Sequence, residues 1–399
     1  MTMIRYLTAG ESHGEALIGV VEGVPAGLPL RAADLNEHLA RRWLGFGRGG
    51  RAKLEVDQVH IYAGIRFAKT IGSPIALRLD NAAYRKDRSG WPKVMAVEGE
   101  GKGVAPVTLP RPGHADLVGV QKYRFDDIRP VIDRSSARET AMRVACCSVA
   151  RQLLKACGIE IGSHVVRIGE VGYDQPEDWQ DLAQPLLLEA GAESLYHAAD
   201  QSETRMLDPY LTKQCIEHIK EAKLEGDTLG GVYEVVVTGV PPGLGSYVHW
   251  DRKLDGQLAQ AILSIQAQKA VEIGDGVLGA YRPGSKVHDP IIRKNDHWAR
   301  RSNHAGGIEG GMSNGMPIVV RGYMKPIPTL IKPLDTVDLA SGEVQPTRYE
   351  RSDVTSVPAA STVAEATVAY TLANAFLEKF GGDSLDEIQE RYEAFLKSM

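Results

Sequence analysis

Apolar and polar positions alternate over residues 3–8 and again over Ala16-Leu-Ile-Gly-Val-Val-Glu22, which predicts two strands joined through Gly10-Glu-Ser-His-Gly14. Gly23-Val-Pro-Ala-Gly27 forms the next turn, and the period then changes. Leu35, Leu39 and Trp43 fall on one face of a helix that starts near Asp34 and runs out into the flexible, arginine-bearing loop Gly45-Phe-Gly-Arg-Gly-Gly50. Val56 to Leu79 alternates as two further strands. Residues 81–107 are polar and glycine-rich, the composition of a long, mobile insertion. Beyond them Ala137, Ala141, Val144, Ala145, Val149, Leu153 and Leu154 recur at helical spacing up to Gly158. So many small side chains suit a tightly packed central helix. Ser136 and Glu139 at its mouth have the S-x-x-E spacing of a capping box.

The second half parallels the first. Gly226-Asp-Thr-Leu-Gly-Gly-Val-Tyr-Glu234 followed by Gly239-Val-Pro-Pro-Gly-Leu244 matches Gly14 to Glu22 followed by Gly23-Val-Pro-Ala-Gly-Leu28, and a helix bearing Leu258, Ala261, Ile262 and Ile265 comes next. Ala359 to Phe380, closed by Gly381-Gly382, resembles the central helix in length and small-residue content. One domain spanning 1–399 is therefore expected. Its repeat halves run from about 1–165 and 226–385, and residues 170–225 form a connecting insertion. Halves packed about a pseudo-twofold axis bring loops from both to one site. A polar helix after Asp386 closes the chain.

With 43% hydrophobic residues in 399, there is ample material for a large core. Four cysteines make neither a disulfide framework nor a CxxC pattern, so they are read as reduced thiols. The chain enters a strand directly, without a signal core, and no run approaches the length of a membrane span. A cytoplasmic protein without membrane partners is expected. The net charge of −5 argues against a nucleic-acid binder. Arginine is nevertheless clustered: Arg41, Arg42, Arg48 and Arg51 lie close in sequence, as do Arg111, Arg124, Arg129, Arg134, Arg138 and Arg143. Guanidinium forks concentrated in an acidic chain suit a small polyanion. Arg41, Arg124 and Arg143 are read instead as solvated charge on helix faces.

The mouth of the central helix, Asp133-Arg-Ser-Ser-Ala-Arg138, is read as an anion site, because free N–H groups and the helix dipole reinforce Arg134 and Arg138. Gly10-Glu-Ser12-His-Gly14 satisfies the nucleophile-elbow pattern, but a strand follows it where that motif needs a helix. A serine hydrolase using Ser12 is thus the alternative rather than the main reading. His13 and His114, each on a sharp glycine-containing loop, suit two separate proton events near neutral pH. Neither has metal-ligand spacing, so no metal is expected. Gly45 to Gly50 matches G-x-G-x-x-G but follows a helix, so no dinucleotide fold is inferred. Arg351-Ser-Asp353 places a cation beside a carboxylate just before the second long helix.

Gly10-Glu-Ser-His-Gly14, Arg111-Pro-Gly-His-Ala-Asp116, Arg134-Ser-Ser-Ala-Arg-Glu-Thr-Ala141, Gly306 to Gly315, Lys325-Pro-Ile and Arg351-Ser-Asp353 stand in one chain in that order. In this the sequence resembles the chorismate synthase family over essentially its whole length. The resemblance implies an α+β fold: a β-α-β sandwich with long central helices between antiparallel sheets and an internal pseudo-twofold duplication. It also implies a homotetramer and a lyase that converts 5-enolpyruvylshikimate 3-phosphate into chorismate and phosphate by a 1,4-anti elimination with reduced FMN. By resemblance, Arg42, Arg48, Arg111, Arg138 and Arg351 bind the substrate. His13 protonates or stabilises the departing phosphate, His114 governs flavin protonation, and Asp353 assists flavin N5 in removing the C6 proton. The implied FMN positions are Arg134, Ser135, Ser136, Gln266, Ala267, Gly310, Lys325, Pro326, Ile327, Pro328, Thr329 and Arg351.

The chain departs from the pattern of many members at Asp133, Ser352, Val354 and Pro328. A negative charge at Asp133 beside an anion site leads to the expectation that its side chain points away. Without a Rossmann fingerprint, an external flavin reductase is expected to supply the reduced cofactor, NADPH entering only as a source of reducing equivalents. A non-catalytic FMN-binding electron carrier is the second alternative, and it has no use for Arg42 and Arg48.

Overall fold

The computed structural model describes residues 3–49, 57–86, 90–294, 297–347 and 353–399. The first elements are β1 (Arg5–Ala9), β2 (Ala16–Glu22), α1 (Ala32–Arg41), β3 (Val59–Ala63) and β4 (Ile75–Asp80). The strands form an antiparallel sheet in the order β1-β2-β4-β3, and a two-residue hairpin, Ile65–Arg66 with Lys69–Thr70, joins β3 to β4. Then come α2 (Asp116–Tyr123), α3 (Arg129–Ser135) and the central helix α4 (Glu139–Ala156). The chain continues as β5 (Glu160–Ile168), α5 (Pro176–Asp200), α6 (Pro209–Glu225), β6 (Gly231–Thr238), α7 (Leu254–Leu263), β7 (Gln268–Ile273) and β8 (Ile318–Met324). It ends in the long helix α8 (Val357–Phe380) and in α9 (Leu385–Lys397).

The second sheet runs β7-β8-β6-β5, with Val171–Gly172 paired on the β5 edge. First, second, fourth and third strands therefore neighbour one another in both sheets, and each set leads through a long connection into a long helix. β5 heads the second set. α4 and α8 pack against each other between the sheets, which makes the β-α-β sandwich. Nearly all of α8 is buried on every side, as a helix between two layers must be. Small residues allow the close approach. A Cβ added at Gly19 on β2 would stand 2.5 Å from Cys146 Sγ and 2.6 Å from Met142 Sδ on α4.

The segment read as a connecting insertion is a covering layer. α5 and α6 bury Trp179, Ala183, Leu195 and Ile219, and the outer face of the second sheet is covered so that β5 and β6 are buried on both sides, with His164 paired to Glu234 beneath Trp179. The outer face of the first sheet is open instead, with Leu7, Ile18 and Val20 exposed. No helix among the described residues is long and apolar enough to cross a membrane.

Three local expectations are corrected. The Ser136–Glu139 spacing is not a capping box. The helix starts at Glu139, whose carboxylate takes Thr8 Oγ1 at 3.0 Å and pairs with Arg143, while Ser136 Oγ accepts from the Arg138 N–H. The same spacing does form the box at α9, where Ser384 Oγ accepts from Glu387 N–H and Glu387 accepts from Ser384 N–H. Arg41 is not solvated. It is buried against Glu365 of α8, with both Nη atoms within 2.8 Å of its carboxylate, and against Asp200 at 2.6 Å. Arg143 likewise turns inward, onto Ser264 and Glu139, whereas Arg124 is exposed. Residues 81–107 carry two short helices, Ala82–Arg85 and Trp91–Val94, and are anchored at one end by the fully buried Asn81.

Candidate functional site

The loop between β1 and β2 carries His13, and its backbone is fixed from three sides. Ser12 N–H donates to the carbonyl of Asp133 at 3.0 Å, Asn81 Nδ2 donates to the carbonyls of Glu11 and Gly14, and Arg134 donates to the carbonyls of Thr8 and Gly10. His13 Nδ1 lies 2.5 Å from Asp133 Oδ1, and the ring stacks on Trp91 with centroids 3.9 Å apart. The Asp133 side chain, expected to point away, points at His13. Ser12 is buried, accepts a hydrogen bond from Ser136 Oγ, and is followed by a strand, which removes the geometry a nucleophile elbow needs.

Beside this loop α1 ends and α4 begins, and the two place Arg42 and Arg138 on one carboxylate. Arg42 Nη1 is 3.4 Å from Asp57 Oδ2, and Arg138 Nη1 is 2.5 Å from Asp57 Oδ1. Arg42 also donates to Thr140 Oγ1 and the Ala137 carbonyl, and Arg138 Nε donates to Asn81 Oδ1. Burial pushes Arg42 down to about 10, with the Arg138 and Arg48 charges adding to it against the pull of Asp57. Arg48 pairs with Asp353 at 2.7 Å, and the same carboxylate accepts from Gly49 N–H and Ser356 Oγ. Among the described residues, three guanidinium groups thus meet at two carboxylates. These guanidinium groups are partly desolvated and set beside a histidine, an arrangement that suits an anion.

A second cluster sits between α2 and the chain after β8. His114 Nδ1 bonds Asp116, which also accepts from Arg111 Nε at 2.8 Å and from the Arg111 N–H at 3.0 Å. Burial would raise the Asp116 carboxyl, but the hydrogen bonds from His114 and Arg111 outweigh it and hold the group well below the usual carboxylate range. Arg111 Nη1 also reaches Thr329, and Lys325 Nζ donates to the Gly113 carbonyl. Thr228 Oγ1 donates to the Ile327 carbonyl, so the run Lys325-Pro326-Ile327-Pro328-Thr329 is held from both sides.

Lys325 N–H donates to the carbonyl of Ala267, which has φ +65°, and the neighbouring Gln266 reaches Glu139 at the start of α4. Arg134, Glu139, Arg143 and Gln266 line a pocket of about 540 Å³ together with Tyr6, Leu7, Thr8 and Tyr370. The Oε1 of Gln266 is buried and has no partner among the described residues. Ser135 Oγ is turned back onto the Val131 carbonyl. Gly310 turns a separate hairpin whose bonds run to Leu244 and Leu254, and Arg351 lies outside the described residues. Asp57, Asn81 and Trp91 are the participants that sequence reasoning missed. For Asp57 the available signal was an acid following an arginine-rich loop.

The profile of the chorismate synthase family matches residues 4–377. A chorismate synthase from Salinibacter ruber is 70% identical over 397 residues, covering 98% of each chain, and one from Chlorobaculum tepidum is 54% identical over 396 residues with the same coverage. A crystal structure of a chorismate synthase superposes with a TM-score of 0.78 at 40% identity, covering 99% of this chain and 98% of that one.

Proposed function

The chain belongs to the chorismate synthase family and is a lyase of the shikimate pathway, converting 5-enolpyruvylshikimate 3-phosphate into chorismate and phosphate; we propose that it does so by an anti 1,4-elimination with reduced FMN bound. The observation that carries the residue assignment is the convergence of Arg42, Arg138 and Arg48 beside His13, with Arg42 pushed down by burial and by its two cationic neighbours. The substrate bears two carboxylates and a phosphate. Arg42, Arg48, Arg111 and Arg138 bind these groups, joined by Arg351.

The residues present fit the cofactor. The pocket beside Arg134 and Gln266 is of a size that holds a small ligand, and the unpartnered Gln266 Oε1 is an acceptor of the kind a flavin ring N–H takes. Ser135, Ser136, Ala267, Gly310 and Lys325 to Thr329 complete the proposed set. When bound, reduced FMN supplies electron density that eases C–O cleavage and is recovered by the end of turnover. In the elimination the C6–H and C3–O bonds break, the ring gains a double bond and phosphate leaves. Asp353 assists removal of the C6 proton, and His13 delivers a proton to the departing phosphate. His114, tied to Asp116 and Arg111, holds a proton on the flavin side.

The same reading includes an external flavin reductase, a cytoplasmic location and a homotetramer, the last supported by the apolar outer face of the first sheet at Leu7, Ile18 and Val20. An anaerobic assay with 5-enolpyruvylshikimate 3-phosphate and chemically reduced FMN tests the whole. Chorismate absorbance and free phosphate should rise together, and oxidised FMN should give neither. Turnover with oxidised FMN alone would remove the role of the reduced cofactor.

A further inference from the structure

We propose that Asp133 is a positioning residue for the reaction: it holds His13 through Nδ1 so that proton delivery falls to Nε2, and Trp91 holds the plane of the ring. The inference rests on the reading of His13 as the donor to the departing phosphate. An ionised carboxylate can only accept, so an imidazole nitrogen 2.5 Å from Asp133 Oδ1 carries the hydrogen between them, and the exchanging position is the other nitrogen. The Asp133 side chain is 1% exposed and that of His13 is 25% exposed, so the orienting group is sealed while the delivering ring remains open.

The ring has little freedom left. Its plane lies within 15° of the Trp91 plane, which opposes rotation, and its loop is bonded to α3 through the Ser12 N–H and to Asn81 through two carbonyls. His114 also has a fully buried carboxylate, Asp116, at its Nδ1, but Arg111 Nη2 lies 3.1 Å from the same nitrogen. At His13 the carboxylate of Asp133 faces Nδ1 and Trp91 faces the ring, an arrangement that sets direction. Trp91 also gives the segment between β4 and α2 a task, as the aromatic platform of this donor.

The test uses the full-length protein with reduced FMN under anaerobic conditions, with kcat and KM measured separately, and 15N NMR of the histidine rings as a second readout. His13→Ala should lower kcat on the order of 100-fold or more. Asp133→Asn should lower kcat at least about 10-fold while KM stays within about twofold, and should change the ring 15N signature of His13. Asp133→Glu should recover most of the loss, and Trp91→Phe should retain more turnover than Trp91→Ala. Wild-type kcat in Asp133→Asn, or Asp133→Glu no better than Asp133→Ala, would overturn the inference while leaving His13 as donor. Wild-type turnover in His13→Ala would overturn the donor reading, and the inference with it.

Discussion

Arg42 and Arg138 divide a single carboxylate, each taking one oxygen of Asp57. The two guanidinium charges oppose one another across it, and burial together with the Arg138 charge pushes Arg42 down to about 10. An incoming anion therefore improves the electrostatics of both, which is how a binding site differs from a closed ion pair.

Arg42→Ala should leave Asp57 paired with Arg138 and the fold intact, while removing a charge-assisted contact of about 1.5–3 kcal/mol from the substrate. KM for 5-enolpyruvylshikimate 3-phosphate should rise by roughly 10- to 100-fold, and kcat should change far less. An unchanged KM in anaerobic steady-state kinetics would place the anion elsewhere.

Asp353→Asn should do the reverse. Asparagine can keep contacts to Gly49 and Ser356 but supplies no base, so kcat should fall on the order of 100-fold with KM nearly constant. Single-turnover kinetics should locate the loss in the chemical step.

Glu365→Ala should be the most destabilising of these changes. Glu365 is fully buried and receives Arg41, Arg151 and Arg205, which would be left facing one another and Asp200. Removing one partner of a buried pair costs about 3–5 kcal/mol. The drop should appear as a lower melting temperature, with catalytic constants of the folded fraction little altered.

Acid should act through Glu234. Burial would raise its carboxyl, but the hydrogen bond from His164 and the charge of Arg321 outweigh that and push it down to about 2. Because the folded value lies below the unfolded one of about 4.3, its stabilisation is complete above that pH and is lost as pH falls towards 2. Glu234→Gln should be less stable at neutral pH and show a shallower loss between about pH 4 and 2 in denaturant titrations.

The layers were legible because their periods are sharp. Alternation in Ala16–Glu22 and helical spacing from Ala141 to Leu154 are local facts that tertiary contacts only reinforce. What escaped was set by partners distant in sequence. Arg41 occupies an ordinary helix-end position, and its burial depends on Glu365, 324 residues later. Ser136 and Glu139 have the spacing of a cap, but Thr8 and Arg143 claim the carboxylate. Asp133 was placed at the helix mouth by sequence alone, yet its orientation depends on a histidine 120 residues earlier. The arginine clusters announced an anion, and nothing local announced which carboxylates would share them.

The bond between Gly49 N–H and Asp353 spans 304 residues. During synthesis at 5–20 residues per second, the carboxylate follows the loop it completes by about 15–60 s. Over that interval the nascent first half already carries Arg42, Arg48 and Arg138, but not the side chains that order Arg48. Contacts of such long sequence separation also make folding slow. Catalytic competence therefore arrives late, when the second long helix has emerged and docked, and a ribosome stalled before it holds Arg42, Arg48 and Arg138 without an enzyme.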